Sequence, residues 1–428
     1  MRRSAVILCS LLAACASAGK PGIGDDDDQP GDGGIDGPLF PDAPPDPRRG
    51  WVDLGSPPAA LAGDVSSPRL AMWNNAPVVA YSADNHVRVM AYESDTTWTA
   101  IGAPLRHSTA TNAVTYDPTV VVGSDGLAVV WPEWSAGAMA SAVRRATGGT
   151  WVPPPGAGVL GTTGAYSFVP HSTAAVDADG AMWIAYAETT DINAPMRISV
   201  VSLLGANVVQ RGSAISATNT NTHAIAPNLA SGGGSQFMAW TEDGVRLAKH
   251  NPATGVWDPF GGSPIVVAGR PVGNHHSPHV AVDSAGRPII AFASSDGTET
   301  GIYVGRWDGA GWTYWQQMLQ AAPGQVGGST TFPNVYDLVT RGPDVVYVAW
   351  SEVDSSAQDG IYVHRCTPAG CLPVGRGRLE ATAGATPGYG PRLAIDPFGR
   401  PLVTWTEDDA AGVSRVHVWR YHGDPDGP

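Results

Sequence analysis

The chain has 428 residues, with 25 Lys and Arg against 39 Asp and Glu for a net charge of −14. No basic stripe offsets that acidity, which argues against a nucleic-acid partner. The length exceeds that of an average domain but lies within the range that all-β repeat folds reach as one body.

The N-terminus reads as a targeting segment. Met1-Arg2-Arg3 is basic, and Ala5 to Ala14 is an apolar run too short to span a bilayer. It ends in Leu12-Ala13-Ala14-Cys15, which resembles the lipobox of bacterial lipoproteins. That resemblance implies a signal peptide over 1–14, a diacylated Cys15 and attachment to a membrane through lipid. Ala16, where an aspartate would retain many such proteins in the inner membrane, points to the outer membrane of a bacterial cell envelope. An ordinary secretory signal cut near Ala18 is the alternative. Residues 15–49 then form a lipidated cysteine and a tether of Gly, Pro and Asp, including Asp25-Asp26-Asp27-Asp28. This segment holds too little apolar surface to offset its ordering entropy and extends by self-repulsion. The Asp run lacks the alternating ligands and distal glutamate of a calcium loop.

From Gly50 to Pro428 one pattern recurs seven times, and such self-similarity governs every other inference. The clearest copies are Pro278-His279-Val280-Ala281-Val282-Asp283 and Pro391-Arg392-Leu393-Ala394-Ile395-Asp396. Each copy opens with a short strand after Pro or Ser, starting near Pro68, Pro118, Ser172, Pro227, Pro278, Pro333 and Pro391. Proline cannot donate to a ladder, so these positions predict strand starts at a free inner edge. A polar or glycine turn follows, as at Asp177-Ala178-Asp179-Gly180. The second strand is apolar on both sides and ends in an aromatic: Tyr81, Trp131, Tyr186, Trp240, Phe292, Trp350, Trp405. The third alternates, as in Ile302-Tyr303-Val304, and the fourth often opens with tryptophan, as at Trp98, Trp151, Trp257 and Trp312.

Seven sets of four antiparallel strands predict an all-β, seven-bladed β-propeller. The last repeat stops at Val418-Trp419-Arg420-Tyr421 and lacks a fourth strand, while Trp51-Val52-Asp53-Leu54 carries that strand's signature. The N-terminal strand is therefore expected to complete the last blade and close the ring. Cys366 and Cys371 bracket Thr367-Pro368-Ala369-Gly370. In an exported protein this pair predicts a disulfide across a hairpin, with a metal pair as the weaker reading.

Candidate site residues follow from the geometry of a propeller, in which the start of the first strand and the end of the second share one face. The position after the opening Pro or Ser reads Arg69, Thr119, Thr173, Asn228, His279, Asn334 and Arg392, all polar. A carboxylate stands two residues past the aromatic in five copies: Glu133, Glu188, Glu242, Glu352 and Glu407. Together these sets would line a ligand-binding mouth, with Arg69 and Arg392 adjacent through closure and able to grip a carboxylate or sulfate. Alternatively, the polar residues merely line a wet channel and the glutamates brace the blades. His275, His276 and His279 invite a metal, but adjacent residues point apart on an extended chain. His171 and His223 stand before neighbouring inner strands as further donors at the channel mouth. No Gly-x-Ser-x-Gly elbow and no phosphate loop is present, and no cofactor is expected.

The turns Glu93-Ser94-Asp95-Thr96-Thr97-Trp98 and Trp307-Asp308-Gly309-Ala310-Gly311-Trp312 are degenerate versions of the Ser-x-Asp-x-Gly-x-x-Trp turn. On these the unit resembles the sialidase-like, BNR-type propellers of secreted bacterial proteins. In that family the turn is structural, so the resemblance implies architecture. The Arg-Ile-Pro motif and the Tyr/Glu nucleophile pair of a sialidase are both missing. The expectation is a monomeric, lipid-anchored propeller that binds a protein or glycan partner without catalysis. The alternative is a glycan-active hydrolase or lyase using the Glu and Arg residues of the mouth.

Overall fold

The computed structural model describes residues 50–423, apart from internal segments at 59–64, 125, 136–137, 155–157, 161–171, 190–193, 205–206, 214, 217–221, 296–299, 321–333, 354–358, 376 and 382–387. The expected signal peptide, Cys15, the tether and His171 lie outside the described residues. The described chain forms seven separate antiparallel sheets in the order of the repeats. Blade 1 runs Val65–Trp73, Ala76–Ala83, His86–Ser94 and Thr97–Ala100, from inner to outer strand. Blade 4 follows the same plan over Ile225–Gly232, Ser235–Thr241, Val245–Asn251 and Val256–Pro259. Blade 2 is the irregular one. Its inner strand is broken into Val114–Thr115 and Thr119–Gly123, and Val159–Leu160 adds to its third strand.

Closure is as expected. Trp51–Asp53 pairs antiparallel with Ser414–Tyr421, Trp51 opposite Tyr421, and completes the sheet of Tyr389–Ile395 and Pro401–Asp408. Each inner strand packs on the inner strands of both neighbours, that of blade 7 on that of blade 1 included. The seam is also fastened at the rim. The Trp51 indole donates to Val374 O of blade 6 at 2.8 Å, and Trp98 of blade 1 donates to Leu54 O of blade 7 at 2.9 Å. Trp151, Trp257 and Trp312 repeat this reach to the preceding blade's carbonyls at Ile101, Arg211 and Gly261. The tryptophan that opens so many outer strands is thus a blade-to-blade bond, satisfying a buried N–H while its ring covers the seam.

The core lies between blades. Separate clusters join blades 1 and 2, 2 and 3, 3 and 4, 4 and 5, 5 and 6, and 6 and 7. Second strands are apolar on both sides because both sides are covered: Val78, Val79, Ala80 and Tyr81 are all 0% exposed. The disulfide Cys366–Cys371 is present and joins directly opposed residues of the outer hairpin in blade 6.

The prolines mark something other than strand starts. Blades 1, 4, 5 and 7 begin their inner strands at Val65, Ile225, His275 and Tyr389, ahead of the proline. Each strand then carries a register shift at Ser66/Arg69, Ile225/Asn228, His276/His279 and Tyr389/Arg392. The residue before each proline, Ser67, Ala226, Ser277 or Gly390, has φ between 49° and 61°. These are β-bulges, where a missing N–H breaks no ladder bond and the following side chain is re-aimed.

Candidate functional site

The side chain following each bulge belongs to a ring on the inner strands. Opposite the second strand stand Arg69 with Ala80, Thr119 with Val130, Thr173 with Ala185, Asn228 with Ala239, His279 with Ala291 and Arg392 with Thr404. In blade 6 the expected member is displaced. Asn334 pairs with Ser351 at the strand end, and Asp337 occupies the ring position opposite Ala349. The register shift of blade 6 falls between Val335 and Asp337, so that Asp337-Leu338 stands where Asn228-Leu229 stands in blade 4; Pro333 lies outside the described residues.

Most of the ring holds blades together. Thr173 Oγ1 accepts the Leu229 N–H at 3.4 Å, Asn228 Oδ1 the Val280 N–H at 2.8 Å, and Asp337 Oδ2 the Leu393 N–H at 2.8 Å. Each acceptor reaches the residue just after the next blade's ring position. Thr119 does the converse, donating from Oγ1 to Ser172 O at 2.9 Å. Guanidinium groups have no acceptor and cannot make the accepting clasp. At the closing seam the ring nevertheless holds two of them, Arg392 and Arg69, on neighbouring inner strands.

Their electrostatics is unusual. Burial first and the neighbouring Arg392 charge second bring the Arg69 pKa down to about 9, with Asp117 and Asp337 acting in the opposite sense. Two cations on adjacent strands repel, and the Asp117 and Asp337 carboxylates offset part of that repulsion. Next round the ring, His279 Nδ1 lies 3.2 Å from Asn228 Nδ2 and 4.0 Å from Asp337 Oδ1. The ring thus runs from two arginines through an aspartate to a histidine and an asparagine. Asp337 is the ring member, and Asp117 the nearby charge, that the opening prolines do not mark.

The glutamates are braces. Glu133, Glu242, Glu352 and Glu407 are 5% exposed or less. Each accepts the indole N–H of the tryptophan two residues before it, at 2.9–3.0 Å: Trp131, Trp240, Trp350 and Trp405. Their remaining capacity takes loop donors, such as His107 N and Ser108 N on Glu133, Ser216 Oγ on Glu242 and Ala381 N on Glu407. Glu188 follows a tyrosine and takes the Ser199 hydroxyl instead. Where the aromatic is Tyr81 or Phe292 no glutamate follows. A buried indole N–H needs an acceptor, and the partner residue tracks that need.

The three neighbouring histidines diverge. His275 is fully buried against Phe292 at 5.3 Å between ring centres, with neither nitrogen hydrogen-bonded. Burial, with smaller contributions from His276 and Arg270, lowers its pKa to about 4. His276 Nδ1 lies 3.2 Å from the Ser277 hydroxyl, and His279 belongs to the ring. His223 is a local brace, its Nδ1 accepting the Met196 N–H at 3.1 Å.

No protein-family model matches this chain, and no curated protein matches it. Solved structures do. A polysaccharide lyase, the PL25 ulvan lyase, superposes with a TM-score of 0.56 at 11% identity, over 86% of this chain and 95% of that one. The same lyase bound to -[GlcA(1-4)Rha3S]- gives the same values. The sialidase of Trypanosoma rangeli has a TM-score of 0.44 at 12% identity, over 83% of this chain and 54% of that one. At such identity the likeness is one of fold: this chain is a seven-bladed propeller of the architecture that glycan-active enzymes also use.

Proposed function

We propose that this protein acts on an acidic polysaccharide, whose carboxylate or sulfate is held by Arg69 and Arg392 at the mouth of the propeller axis. The observation that carries the reading is the pairing of those two cations on adjacent inner strands, at ring positions where other blades use a clasping side chain. Charge-assisted guanidinium bonds to a planar anion would relieve the repulsion and supply orientation. The likeness to a lyase solved with a GlcA-containing saccharide supports the same substrate class.

The ring's chemistry favours β-elimination over hydrolysis. Glycoside hydrolysis calls for two carboxyl groups free to act as acid and base, and four of the five recurrent glutamates, Glu133, Glu242, Glu352 and Glu407, are engaged by indole donors. Neutralising a uronate carboxylate with two arginines acidifies the adjoining C–H. His279 is the ring member suited to accept that proton. The C–H pair then forms a C=C bond, the glycosidic C–O bond breaks, and the leaving sugar oxygen takes up a proton. The test is incubation with polygalacturonate, hyaluronan and alginate, following the ultraviolet absorbance of unsaturated ends together with new reducing ends. Both signals rising, and both lost in Arg69→Ala and Arg392→Ala proteins, is the expected result. Reducing ends without absorbance would replace elimination by hydrolysis, and binding without either signal would make the protein a glycan-binding module.

The reading of residues 1–49 adds a location. A lipid on Cys15 and an extended tether would hold the propeller at the cell envelope, where a polymeric substrate is within reach. Cys15→Ala should move the protein from the membrane to the soluble fraction, and retention on the membrane would contradict the anchor.

A further inference from the structure

Blade 2 departs from its siblings, and the departure builds a cleft. A cavity of 370 Å³ opens there, lined by His107, Ser108, Thr109, Glu133, Ser135 and Ala140. That volume lies toward the low end of the roughly 300–1,000 Å³ found for small-molecule sites. One wall is the connector from blade 1, which leaves through the Leu105 bridge to Val87 and reaches the broken inner strand at Val114–Thr115. The floor is the end of the second strand.

Glu133 fixes this wall. Its carboxylate is 2% exposed and accepts His107 N at 2.7 Å, Ser108 N at 2.5 Å and the Trp131 indole at 3.0 Å. Three donors on two oxygens leave it a positioning residue that shapes the loop and presents little charge to a ligand. The working surface is neutral. Ser108 Oγ and Ser135 Oγ lie 2.7 Å apart, and Ser108 Oγ also accepts the Ala110 N–H at 3.1 Å. His107 Nδ1 faces Arg144 Nη2 at 3.4 Å. A guanidinium only donates, so Nδ1 is the acceptor and the ring proton sits on Nε2. Hydroxyls, one imidazole N–H and the small Ala140 suit a hydroxylated ring. No lysine or arginine is among the lining residues, so the lining itself offers an acidic ring no charge-assisted partner.

The same connector continues to Asp117, whose charge acts on Arg69. One stretch of chain therefore joins the cleft to the axis mouth. We propose that the blade 2 cleft is a subsite for an uncharged, hydroxyl-rich sugar residue of the polysaccharide whose acidic residue is held by Arg69 and Arg392. This rests on the acidic-glycan reading above. It makes the protein selective for chains that mix charged and uncharged residues.

The experiment titrates two probes calorimetrically into the full chain and into its Thr109→Trp and Ser135→Trp forms. Hyaluronan oligosaccharides alternate glucuronate with an uncharged N-acetylhexosamine, and oligogalacturonates are acidic at every residue. Each variant should bind hyaluronan about tenfold more weakly while oligogalacturonate changes by less than about threefold. Equal weakening on both probes overturns the proposal. So does unchanged hyaluronan binding by Thr109→Trp, which alters an exposed loop side chain and should leave the fold intact. If neither probe binds the unaltered protein, the acidic-glycan reading fails by itself, and the cleft is read with N-acetylglucosamine alone. A shift of the His107 imidazole resonance that Ser135→Trp abolishes then upholds the subsite, and no shift overturns it.

Discussion

Two arcs of one ring differ in what the same strand position does. From blade 2 to blade 4, Thr119, Thr173 and Asn228 each tie their inner strand to the next through a backbone partner. Across the closing seam, blades 7 and 1 hold Arg392 and Arg69, which cannot accept such a bond and which repel each other. Evenly repeated blades would gain stability from a clasp at every junction. The contrast shows that repetition reveals what a position does for the fold, and the copies departing from it are those at which we propose a ligand is held.

The comparison breaks first if the recurrent glutamates belong to the site and not to the frame. Glu407→Ala strips acceptors from the Trp405 indole and the Ala381 N–H. It should lower the free energy of unfolding by about 2–4 kcal/mol, read from urea midpoints, with glycan affinity retained once folded. Wild-type stability with lost affinity would move Glu407 into the site. Asn228→Ala tests the clasp arc more gently. Losing the acceptor of Val280 N–H should cost about 1–2 kcal/mol, and a neutral result would show that the clasp is dispensable.

Blade 5 supplies a pH test. His275 of blade 5 and His364 of blade 6 are each held near 4 by burial, against an ordinary 6.5. As pH falls, the unfolded chain takes up protons on these rings before the folded one does. Stability is therefore present above pH 6.5 and is lost between 6.5 and about 4. Denaturant midpoints should show that decline, and His275→Phe should make it shallower. An identical slope in the variant would refute the assignment. The smallest effect concerns the bulges that aim the ring. Ala226 has φ 50°, a strained conformation for a side chain. Ala226→Gly should stabilise by about 0.5–1 kcal/mol, and destabilisation would mean that the alanine methyl contributes packing.

Much of the frame was legible in the residues themselves. The apolar second strands, the tryptophans that open outer strands and the signature of Trp51 to Leu54 predict seven blades and their closure, because burial and closure act at every repeat. Register was less legible. Pro333 imitates the bulge prolines, and only pairing reveals that Asp337 holds the ring position in blade 6. The glutamates were visible as a recurring set, yet their work depends on where the Trp131, Trp240, Trp350 and Trp405 indoles point. The cleft over blade 2 could not be read at all, since it arises from a connector folded onto a buried carboxylate.

The central claim is that Arg69 and Arg392 are kept at the seam for an anion and not for the fold. Its most direct test is the affinity for polygalacturonate at low salt, measured beside urea stability, for Arg69→Ala, Arg392→Ala and the double variant. The account predicts that each single change weakens binding by about 100-fold while stability holds or rises as the repulsion is relieved. Affinity unchanged by either substitution, or a stability loss as large as that of Asn228→Ala, would contradict it.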